Sequence, residues 1–223
     1  MDFKELFVNV DWTDIWKALG ETMYMVSLST LFTALIGLPL GILVVLTSPG
    51  HLLQNRGVYA VLSFIINIFR SIPFIILMIM LIPFTQILVG TSIGVTAAIP
   101  PLVIGSAPFF ARLVEVSLRE VDKGVIEMSQ SMGATTWQII ARVLLPEARS
   151  GIVAGITITL VALVGYTAMA GVIGGGGLGD LAIRYGYQRF QTDVMIVTTV
   201  IMIVLVQVFQ SVGDKLVRRF NRK

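Results

Sequence analysis

Cysteine is absent from the chain and histidine occurs once, at His51. Without thiols there is no disulfide framework and no thiolate metal site. A single imidazole excludes a histidine-rich metal cluster or proton relay. Charge is scarce as well: 13% of the 223 residues are Asp, Glu, Lys or Arg, where a soluble domain carries about 25%. The scarcity is concentrated, because no charged residue falls within 22–50, 72–111, 150–179 or 194–213. No G-x-x-x-x-G-K-[ST] loop is present, so the chain does not itself cradle nucleotide phosphates. The first residues, MDFKELFVNVDWTD, are acidic and amphipathic. They lack a basic stretch followed by an apolar one, and no cleavable leader is expected.

What is there is apolar surface. Hydrophobic residues make up 56% of the chain and the mean hydropathy is +0.89, values that suit a lipid solvent. About 20 apolar residues cross a hydrocarbon core of roughly 30 Å. The charge-free runs therefore predict an all-α membrane protein with five helices, at about 22–46, 58–82, 93–111, 151–174 and 194–212. Around them lie an amphipathic N-terminal segment (1–16), a membrane domain (17–213) and a basic tail (214–223). The stretch 58–111 is too long for one span, and the small polar patch from Thr85-Gln86 to Gly90-Thr91-Ser92 is the expected turn within it.

Lysine and arginine set the orientation. Five spans put the termini on opposite sides. With the N-terminus outside, eleven cations lie inside: Arg56, Arg112, Arg119, Lys123, Arg142, Arg149, Lys215, Arg218, Arg219, Arg222 and Lys223. Four lie outside: Lys4, Lys17, Arg184 and Arg189. The expectation is N-terminus out, C-terminus cytoplasmic, and a multi-pass protein of the cell membrane.

The longest cytoplasmic segment, 112–150, is too short for a core of its own but carries structure signals. Glu127 to Met132 reads as a short helix ended by Gly133 in the left-handed conformation. Thr135-Thr136-Trp137-Gln138 has the spacing of a capping box. Trp137, Ile140, Ala141 and Leu144 then form one apolar face, and Pro146 closes the helix. Two short helices around a glycine make a knob, which either folds back on the bundle or presents itself to a partner.

The segment Glu127-Met128-Ser129-x3-Gly133-x11-Leu145-Pro146 resembles the EAA motif of ABC-importer permeases, the inner-membrane components of binding-protein-dependent transport systems. Glu127, Gly133, Leu145 and Pro146 match; Met128 and Ser129 replace two alanines, both compatible with a helix. Arg70-Ser71-Ile72-Pro73-Phe74 resembles the R-S/T-x-P element of the amino-acid-type members. The stretch from Gly174-Gly175-Gly176-Gly177-Leu178-Gly179-Asp180 to Arg189-Phe190 is similar to the methionine-uptake (D-methionine) permeases in particular. Together the similarity spans about 16–212. It implies a five-helix type I importer domain that docks through Glu127, Met128, Ser129, Gly133, Ala134, Trp137, Leu145 and Pro146 onto an ATPase subunit. That partner, in two copies, would bind ATP and Mg; no cofactor is expected on this chain and no nucleic acid partner. A second copy of the permease and an extracytoplasmic methionine-binding protein complete the implied assembly, with methionine of either hand as substrate. Arg70, Ser71 and Pro73 are candidate pathway residues.

Competing readings are weaker. An ion-coupled transporter places acids or histidines within its spans, and these runs contain none. A membrane enzyme needs convergent nucleophiles or acid–base pairs, for which nothing here fits. Gly174-x-Gly176-x-x-Gly179 mimics a dinucleotide fingerprint without its strand–turn–helix context and reads as a tight outer loop. Leu163-Val164-Gly165-Tyr166-Thr167 lacks the second glycine of a potassium filter and reads as helix packing. Arg70 has two readings: a cation in a span costs about 2.5–3.5 kcal/mol and faces a cavity or partner, or it snorkels to the interface.

Overall fold

The structure is a computed structural model that describes residues 9–220. Among these residues every regular element is helical. Ten α-helices follow in order: α1 (Trp12–Thr47), α2 (Arg56–Ser71), α3 (Phe74–Met80), α4 (Ile82–Val89), α5 (Val95–Arg119), α6 (Lys123–Ser131), α7 (Thr136–Ile139), α8 (Leu145–Ala170), α9 (Gly177–Leu181) and α10 (Thr192–Phe220). Four helices are long and apolar enough to cross a membrane: α1, α5, the continuous helix Thr136–Ile173 that contains α7 and α8, and α10. The pair α2 and α3, bent by 102°, supplies a fifth span if it is counted as one.

α1 begins ten residues before the expected start at 22. Asp11 accepts a hydrogen bond from the Thr13 N–H at 2.8 Å and caps the helix. Ile15 and Ala18 then pack on Leu178 and Leu181, so the charged first turns are held by protein rather than by lipid. The helix runs through Pro39 and stops at Ser48. Only residues 9–16 of the expected N-terminal segment lie within the described residues; 1–8 lie outside them.

α1 and α5 form the central pair, with α8 against both, α10 on α8, and α2 on α5. Small residues explain the closeness of the central contact. Ser29, Thr33, Gly37 and Gly41 recur every fourth residue and all are buried. A Cβ on Gly41 would stand 2.6 Å from the Ala111 carbonyl oxygen. Without a hydrophobic drive between helices in lipid, backbone approach of this kind is what packing can use.

The helix expected over 58–82 is broken. Proline restricts the residue before it to extended backbone, and Ile72 ahead of Pro73 has φ −79° and ψ 127°. The chain turns there and restarts as α3. Thr85 and Gln86, expected in a turn, lie inside α4; the stop comes at Gly90, φ +81°. The three prolines of α5, at 100, 101 and 108, do not interrupt it. That helix also continues eight residues beyond the expected boundary at 111, as far as Arg119.

The largest correction concerns Pro146, which does not close the second knob helix. Residues Ile140–Leu144 form a π-turn in which the Leu145 N–H donates to the Ile140 carbonyl. A π-bulge inserts one residue into the turn, displacing the carbonyl that a helical proline would strike. The helix passes through into the span. The tail follows the same trend: α10 carries residues 214–220 as helix, and 221–223 lie outside the described residues.

Candidate functional site: a welded knob and a cavity at a broken helix

α6 starts at Asp122, whose Oδ1 accepts from the Gly124 N–H at 2.6 Å. Its end is a Schellman motif. The Gly133 N–H donates to the Gln130 carbonyl at 2.9 Å and the Ala134 N–H to the Ser129 carbonyl at 3.1 Å, with Gly133 at φ +80°. Ser129 Oγ donates to the Val125 carbonyl at 2.7 Å. The capping box follows: the Gln138 N–H reaches Thr135 Oγ1 at 3.3 Å and the Thr135 N–H reaches Gln138 Oε1 at 2.9 Å.

The two faces of this knob differ. Ile126, Ile139, Ile140, Leu144 and Ala148 are buried in one cluster with Val45 and Leu46 of α1 and Phe110, Val114 and Leu118 of α5, and Ala134 and Leu145 pack on its edge. Of the expected apolar face, Ile140 and Leu144 are buried, but Trp137 and Ala141 point outward; the buried face is rotated toward Ile139, where the π-turn begins. On the other side Trp137 is 72% exposed, Met132 81% and Met128 58%. Glu127, Gly133 and Pro146 are exposed as well. The knob is welded to the bundle inwardly and carries a bare Met–Met–Trp tip outwardly.

Beneath it lies a charge cluster that sequence reading missed. Glu115 is 3% exposed and is gripped by two arginines of its own helix. Arg112 Nη1 bonds Oε2, while Arg119 donates to Oε1 from Nη2 at 2.9 Å and from Nε at 3.0 Å. The i−3 and i+4 spacing was the available signal. His51, in the turn between α1 and α2, lies near the same end. Burial lowers its pKa, and the charges of Arg119 and Lys123 add to the effect.

Arg70, Ser71 and Pro73 come together at the α2–α3 bend. Ser71 Oγ donates to the Asn67 carbonyl at 2.8 Å, and Pro73 is the residue ahead of α3. Arg70 opens onto a cavity of about 260 Å³ bounded by α2, α3, α5 and α8. Its wall includes Phe74 stacked on Tyr166, with centroids 4.2 Å apart and planes 13° apart. Nothing in the sequence signals this pairing, since the two residues lie far apart in the chain.

At the opposite end of the bundle the glycine-rich stretch folds inward instead of forming a free loop. Glu21 Oε2 accepts from the Gly177 N–H at 2.9 Å and Thr22 Oγ1 from the Leu178 N–H at 2.9 Å. A Cβ on Gly179 would collide with the Ala168 backbone. The dinucleotide-like spacing thus serves close packing of α9 on α8 and α1. Beyond it Arg184 pairs with Asp180 at 2.6 Å.

A buried inner face, a bare tip and spans of this number define the class. Residues 37–222 match the family described as binding-protein-dependent transport system inner membrane component, and the chain belongs to that family. Among individual relatives, it is 52% identical over 221 residues to the methionine import system permease protein MetP of Bacillus subtilis, covering 99% of this chain and 100% of the relative. It is 50% identical over 213 residues to the probable D-methionine transport system permease protein MetI of Pasteurella multocida, covering 94% and 98%. A solved inward-facing structure of the MetNI methionine ABC transporter superposes with a TM-score of 0.93 at 48% identity, over 96% of this chain and 100% of that one. An amino acid ABC transporter with histidines, 22% identical at a TM-score of 0.74 over 97% of this chain and 95% of that one, shares the fold.

Proposed function

We propose that this chain is the permease subunit of an ATP-driven importer of methionine in the cell membrane. The N-terminus faces outward and the knob faces the cytoplasm. Two copies enclose the pathway about a two-fold axis, because five spans are few for a gated path. Each knob seats its Met128–Met132–Trp137 tip in a groove of an ATPase subunit that binds ATP and Mg. An extracytoplasmic binding protein delivers methionine to the end bearing α9. Closure of the two ATPases moves the knobs, and the bundle switches between inward- and outward-facing states. A partner drives such a switch only as far as its contacts differ between the two states.

The observation that carries this reading is the knob itself: apolar side chains left bare on a short helical unit whose other face is buried in the bundle. Exposed apolar patches of this kind mark interaction sites, and the family of the chain supplies the kind of partner. The test is uptake of labelled methionine into vesicles containing the permease, its ATPase and its binding protein. Uptake is expected with ATP and none with the ATPase omitted. Uptake driven by an ion gradient alone, without nucleotide, would overturn the reading.

A further inference from the structure

The α2–α3 break leaves a chamber that the mechanics of docking does not use. Arg70 stands at its edge and belongs to none of the ion pairs among the described residues. Every other lining residue is uncharged, and Phe69, Phe74, Phe109 and Tyr166 give the chamber aromatic walls. Arg70 lies in the apolar reach of α2, ahead of a helix break, where an unpaired cation is expected to face a cavity or partner. A guanidinium offers a planar fork that matches a carboxylate. Aromatic rings offer favourable contacts to a thioether sulfur and attract an ammonium group through their faces.

We infer that this cavity is a solute site within the permease, in which Arg70 holds the carboxylate of an amino acid and the aromatic walls hold a soft apolar side chain. The inference rests on the importer reading above and locates its substrate. About 260 Å³ lies just below the usual range for drug-sized ligands, which suits a single amino acid. Among the described residues no carboxylate lines the cavity to fix the ammonium, so recognition depends on the acid group and the side chain. Both enantiomers satisfy that requirement. The walls also come from α3, α5 and α8, with Gly105 open to the cavity. A Cβ there would come within 3.1 Å of the Phe74 ring.

The absence of cysteine makes a direct test available. An Ile72→Cys substitution puts the permease's one thiol in the cavity wall of the assembled transporter, and its modification by a methanethiosulfonate reagent reports occupancy. Protection scales as 1 + [L]/Kd, so methionine at four times Kd slows labelling about fivefold. Methionine and 4-(methylthio)butanoate, which keeps the carboxylate, should protect; methioninol, which lacks it, should not. Adding Arg70→Gln should abolish protection, and Arg70→Lys should restore part of it, with co-purification of the ATPase reporting intact assembly. Equal protection by methioninol, or protection surviving in the Arg70→Gln variant, overturns the assignment. So does an unprotected thiol in a complex that imports methionine. A complex that imports no methionine, yet whose thiol is protected by another amino acid in an Arg70-dependent way, would instead overturn the methionine reading and leave the site standing.

Discussion

At the level of single residues, the one histidine is placed where its charge matters. His51 faces Lys123 and Glu127 across a small cavity between the α1–α2 turn and α6, with Arg119 near enough to act on it. Burial and the two cations hold its pKa below the ordinary 6.5. The unfolded chain takes up its proton near 6.5, while the fold resists doing so until the pH is lower. Stability from this group is therefore complete above 6.5 and declines as the pH falls toward the folded value. The thermal midpoint of the purified complex should drop more between pH 7 and pH 5 in the wild type than in His51→Gln. Parallel curves for the two proteins would refute this. The residue type was legible in the sequence, but its surroundings were not, because Arg119 and Lys123 reach it through tertiary packing. Glu115 illustrates the opposite case: its arginine partners lie one turn away on the same helix, and spacing alone could have exposed them.

At the level of elements, the knob is a helix–glycine–helix unit whose turn was readable and whose exit was not. Gly133 and the Thr135–Gln138 box are local signals, each decided within six residues. A Cβ added at Gly133 meets nothing within 4 Å, so the cost of Gly133→Val is chiefly conformational, about 1–2 kcal/mol for a side chain forced into the left-handed region. The expected outcome is weakened co-purification with the ATPase and reduced uptake, with the permease still inserted. Gly133→Ala should fall between the two. Unchanged assembly and uptake in Gly133→Val would show that this turn does not set the tip. Pro146 misled because a proline normally ends a helix, and the π-turn at Ile140–Leu144 is a tertiary accommodation that no local pattern announces. The bend at Ile72–Pro73 was encoded locally, yet hydropathy averages across it and reports one span.

For the whole molecule, five apolar stretches were enough to anticipate the helical bundle, while the lopsided distribution of Lys and Arg carries the proposed orientation. The long-range contacts were not readable: the Phe74–Tyr166 stack, the grip of Glu21 and Thr22 on the glycine-rich stretch, and the packing of α1 on α5. Sidedness is open to direct measurement. Arg184 and Arg189, substituted singly by cysteine, should react with a membrane-impermeant thiol reagent added to intact cells, and Trp137→Cys only after lysis. Labelling of Trp137→Cys in intact cells would reverse the assignment. The helix Thr136–Ile173 is 38 residues long, roughly 57 Å at 1.5 Å per residue. It begins beside Trp137, carries Tyr166 along its length and ends against α9. A push received at the tip would thus travel along one continuous helix, past the π-turn at Ile140–Leu144, toward Tyr166 and the contact with α9.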